Sequence, residues 1–274
     1  MAKKNRTAIS LHIGLNSVDP KGYEGWSGPL KACEADARDM QTIAEDRGFK
    51  SKILLTKQAT RASVRAEILA AARELGPDDI FLLTNSSHGG QVPDINGDEQ
   101  DGQDETWCLY DGELIDDELY ALFGRFSKGV RIVVLSDSCH SGTVTRFAPV
   151  HLSEVARGVP RLLPPDIAHR VYLAHKKMYD AIQRDKKNIN SRAEVKASVL
   201  LISGCQDNQL SSDGDSNGQF TGTLKKVWNG GKFKGSYLRF HKIIVSKMPS
   251  DQTPNLFFVG LPNKAFQEQE PFTI

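Results

Sequence analysis

The amino-acid sequence predicts a three-layer α/β/α sandwich around a mostly parallel, six-stranded sheet. Six short apolar runs are rich in Ile, Leu, Val and Phe and too short for free-standing helices, as expected for strands buried on both faces. Segments with helical spacing of apolar residues lie between strands, and this alternation is typical of a sheet covered by helices. The predicted strands are residues 7–14, 51–56, 79–87, 131–138, 197–204 and 255–260.

Two helices are predicted between the first three strands. Apolar residues recur at positions 30, 33, 37, 40 and 43, and this pattern stops at Gly48. A second set recurs at positions 64, 68, 72 and 75, directly before the breaker pair GP at 76–77.

Two stretches interrupt the alternation. Residues 94–119, "DINGDEQDGQDETWCLYDGELIDDEL", read as an acidic loop. An insertion runs from about Thr143 to Lys196 and contains a predicted helix that begins after Pro165, with one face at positions 167, 171, 175, 178 and 182. We expect the basic end of this insertion to be exposed.

Composition limits the classes of function. The chain has 274 residues, of which 39% are hydrophobic and 25% charged, as in globular proteins. Its 35 basic residues nearly balance its 34 acidic ones, so no overall charge points to nucleic acid or to a membrane surface. No leader-like or membrane-spanning apolar stretch is present, and the sequence predicts a soluble, cytoplasmic protein, with a monomer favoured. The four cysteines are scattered, which argues against a zinc site or a disulfide framework.

Polar clusters follow two of the predicted strands. "SDSCHSG" (136–142) surrounds Cys139 with hydroxyls, a carboxylate and an imidazole, and "NSSHGG" (85–90) ends the preceding core strand with His88. A lone cysteine at a strand end is usually a small buried hydrophobe. The polar neighbours of Cys139 favour a nucleophile, and His88 is a better placed base than the adjacent His140.

These motifs resemble those of the caspase-like cysteine peptidases of clan CD, peptidase family C14. "TNSSHGGQ" and "LSDSCHSGT" are similar to the histidine and cysteine motifs of metacaspases and of their bacterial relatives, the orthocaspases. His88 and Cys139 lie 51 positions apart, which agrees with the roughly 50-residue spacing of caspases. The resemblance continues through "GPLKACEADARDM", "LLISGCQDNQLSSD" and "DQTPNLFFVG". It implies a single domain, with a larger segment over about 1–145, an insertion over about 146–196 and a smaller segment over about 197–274.

The resemblance implies a cysteine endopeptidase with a Cys-His dyad. Cys139 would attack the scissile carbonyl, His88 would carry the proton to the leaving amine, and the backbone N–H groups of Gly89 and Cys139 would hold the oxyanion. A backbone carbonyl often orients the histidine in this family, and the sequence does not locate it.

The resemblance also implies a primary specificity pocket made by Cys33, Asp36, Ser86 and Asp137. Metacaspases prefer Arg or Lys at the cleaved position and use acidic residues to hold it. We therefore expect protein or peptide substrates with a basic residue at that position. The alternative is that Asp36 and Asp137 pair with structural arginines such as Arg38.

A metal site is a further question raised by the acidic stretch. An EF-hand is rejected, because the sixth position of the register that begins at Asp94 is Glu99 and not glycine. Calcium-activated metacaspases use other aspartates, which would match Asp104, Asp116 and Asp117. Their remaining ligand would fall in "TVTRFAP", which has no carboxylate. We expect no cofactor to be required, with calcium left as an alternative.

Self-cleavage is expected in residues 183–196, "QRDKKNINSRAEVK". This polar segment offers Arg184, Lys186, Lys187 and Arg192 to an acidic pocket. The alternative is a solvated helix end that proteases ignore. For the whole chain, the alternative to an active peptidase is a catalytically silent caspase-like module that regulates or binds.

Overall fold

Nine strands form two sheets in the parts of the chain that the structure describes. The computed structural model describes residues 6–97, 99, 101–138, 159–189, 191–206 and 209–274. In chain order the strands are β1 (Ala8–Gly14), β2 (Lys50–Leu55), β3 (Ile80–Ser86), β4 (Gly89–Pro93), β5 (Gln103–Leu109), β6 (Gly112–Ile115), β7 (Arg131–Asp137), β8 (Ser198–Ser203) and β9 (Asn255–Gly260).

The central sheet has six strands in the order β2-β1-β3-β7-β8-β9. All neighbouring pairs are parallel except β8 and β9, which run antiparallel. The six strands coincide with the six apolar runs of the sequence, so the predicted mostly parallel sheet is confirmed.

Helices cover both faces of the central sheet. They are α1 (Cys33–Asp46), α2 (Arg61–Glu74), α3 (Asp116–Phe123), α4 (Pro165–Gln183), α5 (Ser191–Glu194), α6 (Gln219–Trp228), α7 (Tyr237–Lys247) and α8 (Lys264–Glu268).

Successive residues of β3 point into different cores, because side chains alternate across a strand. Leu82 packs in one cluster with Met40 of α1 and Phe220 of α6. Leu83 packs in the other with Val64 of α2. This arrangement confirms the three-layer sandwich.

The acidic stretch at 94–119 differs from the predicted loop. It contains β5, β6 and the start of α3, and β4, β5 and β6 form a separate antiparallel sheet. The buried carboxylate of Asp104 and the half-buried one of Glu105 interrupt the apolar pattern of β5, and this hid the strand in the sequence.

The insertion contributes α4, which packs against the small sheet. Ile167 and Val171 join Val92 and Cys108 in a third apolar cluster, as the predicted helical face requires. Met178 was assigned to this face, but it is exposed, and the neighbouring Tyr179 is fully buried instead. In the C-terminal half of α4, the buried position therefore lies one residue later than predicted.

Close packing of α1 against the end of β1 places the N-terminus of this helix near the carboxyl edge of the sheet. Gly14 ends β1, and a Cβ at this position would collide with the backbone of Cys33 and lie 2.8 Å from the Cβ of Ala37. The absence of a side chain at Gly14 thus lets the first turn of α1, which carries Asp36, approach the ends of the neighbouring strands.

Across the described ranges, none of the helices is both long and apolar enough to cross a bilayer.

Candidate active site

Two adjacent central strands deliver the candidate catalytic segments to one edge of the sheet. Ser86 at the end of β3 is the register partner of Asp137 at the end of β7. His88 and Cys139 each follow two residues later in their own chain segments. Cys139 lies outside the described residues, whereas His88 and the pocket residues lie within them.

His88 is buried and its ring orientation is fixed by the backbone. Its Nε2 lies 3.1 Å from the carbonyl oxygen of Gly28, and its ring packs against Trp26 with centroids 4.7 Å apart. Since a carbonyl only accepts, Nε2 carries the proton and donates it to Gly28. Among the described residues, the buried Nδ1 has no hydrogen-bond partner, and in this tautomer its lone pair can accept a proton.

Burial also sets the protonation state of His88. Desolvation lowers its pKa to about 4, against the opposing effect of the hydrogen bond to Gly28, and the nearby Arg161 guanidinium lowers the pKa further. The imidazole is therefore neutral at pH 7, which is the form a general base needs.

The pocket predicted from Cys33, Asp36, Ser86 and Asp137 surrounds the side chain of Arg161. Arg161 is fully buried. Its Nη2 lies 2.7 Å from an oxygen of Asp36, and its Nη1 lies 3.0 Å from an oxygen of Asp137 and 2.8 Å from the hydroxyl of Ser86. The three polar residues thus share a single cation.

A third carboxylate completes the contacts of the Arg161 guanidinium. Asp213 places Oδ1 2.9 Å from Nη2 of Arg161 and also accepts from the backbone N–H of Lys31 and Ala32. Asp213 is the last residue of the quoted stretch "LLISGCQDNQLSSD", in which nothing local indicates a role for it. One arginine therefore faces three buried carboxylates, which leaves an excess of negative charge.

Separate hydrogen bonds hold the carboxylates in place. Asp36 accepts from the backbone N–H of Gly218 and from the side-chain amide of Asn217. Asp137 accepts from both the backbone N–H and the hydroxyl of Thr221, at 3.0 and 2.8 Å. Such oriented donors preorganise the negative charge for a cation.

The electrostatics of the pocket oppose further negative charge. Burial raises the pKa of Asp36, partly offset by Arg161, and the charge of Asp137 raises it further. Burial raises the pKa of Cys33 to about 12, so this thiol stays protonated and forms a neutral wall of the pocket.

The sequence left open that a structural arginine such as Arg38 pairs with Asp36 and Asp137. In the structure an arginine does pair with them, but it is not Arg38. Arg38 is exposed and lies 3.7 Å from Glu34 on its own helix. The chain's own partner for Asp36 and Asp137 is Arg161, from the insertion.

Gly89, the predicted oxyanion donor, begins β4. Its N–H donates to the carbonyl oxygen of Arg161 at 3.0 Å. The other predicted donor, the N–H of Cys139, belongs to the residues that are not described.

The family resemblance assigned Asp104, Asp116 and Asp117 to a metal site. In the structure, Asp116 lies close to two further carboxylates, those of Glu99 and Glu105. Glu99, Glu105 and Asp116 each offer an oxygen within 4.8 Å of the others. Burial raises the pKa of Asp116 well above its usual range, with Glu105 and Asp104 adding to the effect, and its Oδ1 has no hydrogen-bond partner within the described part of the chain. Asp117 accepts from the side-chain amide of Asn96. Oxygen ligands clustered in this way fit a hard divalent cation, which would supply the missing positive charge.

The basic residues expected at a self-cleavage site lie on the surface. Arg184 is 3.8 Å from Asp180, and the guanidinium of Arg192 lies over the ring of Tyr120. Lys186 and Lys187 are exposed in the turns after α4.

Comparison with known proteins identifies the family. The sequence model of the caspase domain, peptidase family C14, matches residues 18–266. The chain belongs to the caspase family of cysteine peptidases.

Relatives within the caspase family include fungal metacaspases. The chain is 32% identical over 250 residues to metacaspase-1 of Cryptococcus neoformans, covering 78% of this chain and 53% of that protein. It is 31% identical to metacaspase-1 of Mycosarcoma maydis, covering 78% of this chain and 59% of that protein. The chain therefore spans between half and three fifths of the length of these curated relatives.

Solved structures with a similar fold include two crystal structures. A crystal structure of a protein from Geobacter sulfurreducens shares 57% identity, with a TM-score of 0.89 and coverage of 98% of this chain and 99% of that one. Caspase-1 of Spodoptera frugiperda is 10% identical, with a TM-score of 0.56 over 92% of this chain and 86% of that one. This second likeness confirms the caspase-like fold.

Several site residues of this caspase-family chain were missed in the sequence. Gly28 supplies the carbonyl that orients His88, and Gly218 lies against the pocket, where a Cβ would come within 2.5 Å of both Arg161 and Asp137. Asp213 and Arg161, which form the ion pairs of the pocket, are the two other site residues that were missed. Gly28 and Asp213 lie at the ends of the quoted motifs "GPLKACEADARDM" and "LLISGCQDNQLSSD", but the motifs by themselves indicate no role for these two residues at the site.

Proposed function

We propose that the protein is a cysteine endopeptidase that hydrolyses peptide bonds after Arg, and less efficiently after Lys, with Cys139 as nucleophile and His88 as base. The observation that carries this proposal is the binding of one guanidinium by Asp36, Asp137 and Asp213. These carboxylates lie at the same sheet edge as His88 and the start of β4.

Catalysis would follow from the tautomer of His88. With Nε2 donating to Gly28, Nδ1 accepts the proton of the Cys139 thiol, and the thiolate attacks the carbonyl carbon of the substrate. The N–H of Gly89 stabilises the developing oxyanion. The imidazolium then returns the proton to the leaving amine, and water attacks the thioester with His88 again accepting a proton.

Specificity would follow from the shape and charge of the pocket. A guanidinium presents two terminal nitrogens, and here Nη1 contacts Ser86 and Asp137 while Nη2 contacts Asp36 and Asp213. A lysine carries a single nitrogen and cannot reproduce both sets of contacts. An acidic side chain would meet three carboxylates at close range, and this repulsion supports a preference against Asp at the cleaved position.

We propose that catalysis needs no metal. None of the proposed steps uses the Glu99, Glu105 and Asp116 cluster, whose role would be to hold β5 and α3 together if calcium binds there.

The test is hydrolysis of matched peptides that differ only at the cleaved position, which carries Arg, Lys, Gln or Asp. We expect the order Arg, then Lys, with Gln and Asp at background. Cys139→Ala and His88→Ala should each abolish turnover, because nucleophile and base act as a unit. His169→Ala, which changes an exposed histidine on α4, is the matched control and should leave turnover unchanged.

Two results would reject the proposal. Near-native turnover by either dyad variant would exclude the dyad, and a preference for Asp would exclude the pocket assignment. A folded wild-type protein that hydrolyses none of the peptides would favour the silent-module alternative.

A further inference from the structure

Trp26 is a half-buried aromatic residue beside the proposed base. Its indole ring packs against the imidazole of His88, with centroids 4.7 Å apart and ring planes inclined at 57°. It stands in "GYEGWSGPL" (22–30), two residues before Gly28, where nothing local indicates a role at the site. The contact nevertheless places an aromatic wall directly on the imidazole.

The same indole ring lies against the backbone of Gly28. A Cβ at Gly28 would come within 2.6, 2.8 and 2.9 Å of three atoms of the six-membered ring of Trp26. The φ of Gly28 is 50°, a conformation that glycine adopts without strain. The carbonyl of Gly28 accepts from Nε2 of His88 at 3.1 Å. One indole ring thus contacts both partners of the hydrogen bond that orients the imidazole.

Trp26 is itself held in place by the fold. Its backbone N–H donates to the carbonyl of Tyr23 at 2.9 Å, and the two rings lie 6.1 Å apart. Tyr23 is fully buried, and its hydroxyl donates to the carbonyl of Leu109 at the end of β5, at 2.7 Å. The N–H of Val18 donates to the carbonyl of Ser27 at 2.9 Å. The indole therefore stands on a fixed loop and can act as a rigid wall.

Burial has the largest influence on the pKa of His88, which it lowers from 6.5 to about 4. Two charged side chains act on the ring in opposite directions. Arg161, in the segment before α4, lowers this pKa further, whereas Asp213, after β8, raises it. Since burial outweighs both charges, the groups that keep water from the imidazole determine its protonation state.

We propose that Trp26 is a positioning residue for His88: its indole holds the imidazole against the Gly28 carbonyl, keeps water from the ring, and so extends catalysis to acidic pH. This inference rests on the proposed function, in which His88 is the base, and adds the residue that controls that base. Trp26 takes no part in making or breaking bonds. Its truncation would leave a cavity that water or another rotamer of His88 can fill.

The first experiment follows the imidazole of His88 by NMR in the full-length Cys139→Ala variant, in which no thiol titration is coupled to it. The resonances are assigned with His88→Asn. With Trp26 present, they should stay nearly constant from about pH 8 to about pH 5. With Trp26→Ala they should titrate in this range, because the pKa of His88 should rise by about 1–2 units as water reaches the ring. Trp26→Phe keeps an aromatic ring and should recover most of the low pKa.

The second experiment measures kcat and KM for an Arg peptide over the same pH range. In Trp26→Ala the acid limb of kcat/KM should move to higher pH by the amount that NMR gives for His88, because this limb reports the base of the free enzyme. At about pH 8, kcat should fall by about tenfold or more. KM should change by less than about twofold, since the pocket acids are unaltered. Trp26→Phe should recover most of kcat.

Two further variants complete the comparison. Phe258→Ala is the matched control, because Phe258 is an aromatic side chain with 44% exposure on β9, three strands away from β3. It should change neither the pKa of His88 nor the pH profile. Trp26→Leu keeps a smaller apolar side chain and should give an intermediate pKa. It decides the question if Trp26→Ala does not fold.

Distinct results overturn the inference and the proposed function. An unshifted pKa of His88 in Trp26→Ala, or a lower kcat with an unshifted pH profile, removes the inference and leaves the proposed function standing. The same is true if Trp26→Phe loses as much as Trp26→Ala, because the aromatic wall would then not be the cause. A folded wild type that hydrolyses no Arg peptide rejects the proposed function, and with it the role of Trp26 in catalysis.

Discussion

Asp213→Asn tests the part of the pocket that only the structure reveals. Asp213 contacts Nη2 of the bound arginine at 2.9 Å. A hydrogen bond to a charged group contributes about 1.5–3 kcal/mol, and each 1.36 kcal/mol corresponds to a tenfold change in rate. We therefore expect kcat/KM for an Arg peptide to fall by about 10- to 150-fold.

The same substitution should affect Lys peptides less. A lysine ammonium is a single point charge, and it cannot contact both the Asp137 side and the Asp213 side of the pocket. We expect kcat/KM for Lys peptides to fall by less than about fivefold, so that the preference for Arg over Lys narrows.

The assay compares two peptides that differ only in Arg or Lys at the cleaved position, with preparations whose cleaved fraction is known from intact mass. Asp215→Asn is the matched control, because Asp215 is an almost fully exposed carboxylate, 3.7 Å from Lys31. Equal losses for Arg and Lys peptides, together with a lowered Tm, would refute the reasoning. That outcome would mean that Asp213 acts only by holding the backbone of Lys31 and Ala32.

Three further predictions concern pocket shape, acid stability and calcium. Gly218→Ala places a Cβ within 2.5 Å of Arg161 and Asp137, and this overpacking should reduce turnover of an Arg peptide by at least about tenfold. Gly222→Ala is the control and should leave turnover unchanged, because its Cβ would meet only Asn217, at 3.4 Å. Because the folded pKa of His88 is about 4 and its ordinary value is 6.5, the unfolded state binds more protons between these values. The free energy of unfolding should therefore fall on acidification, and His88 should account for about 2 kcal/mol of the fall between pH 7 and pH 5. Urea unfolding of His88→Asn should show a fall between these pH values that is smaller by about this amount. A fall as large as that of the wild type would contradict the lowered pKa of His88. EGTA should leave most of the activity, while millimolar calcium should raise Tm in the wild type and not in Asp116→Asn; a hundredfold activation by calcium would show that the cluster supports catalysis.

The central sheet and the two helices that flank its first strands could be predicted because each depends on local spacing. A strand buried on both faces must be apolar throughout, and a helix that covers a sheet must repeat its apolar residues every three or four positions. The small second sheet could not be predicted in this way. In β5, the buried carboxylate of Asp104 occupies a position that an apolar pattern would need.

The sequence by itself singled out the residues that end adjacent strands. Ser86, His88 and Asp137 follow from the motifs after β3 and β7, and parallel strands must bring their carboxyl ends to one edge. Asp36 followed from the family resemblance.

Only the tertiary structure decided what surrounds and fills the pocket. Gly28, Asp213 and Gly218 come from loops, and Arg161 lies 125 positions from Asp36. No local periodicity links such residues, since they meet through the packing of separate loops around the sheet edge. An arginine in an insertion is expected at the surface. Only the structure shows that Arg161 is completely buried against three carboxylates and is the cation of the pocket.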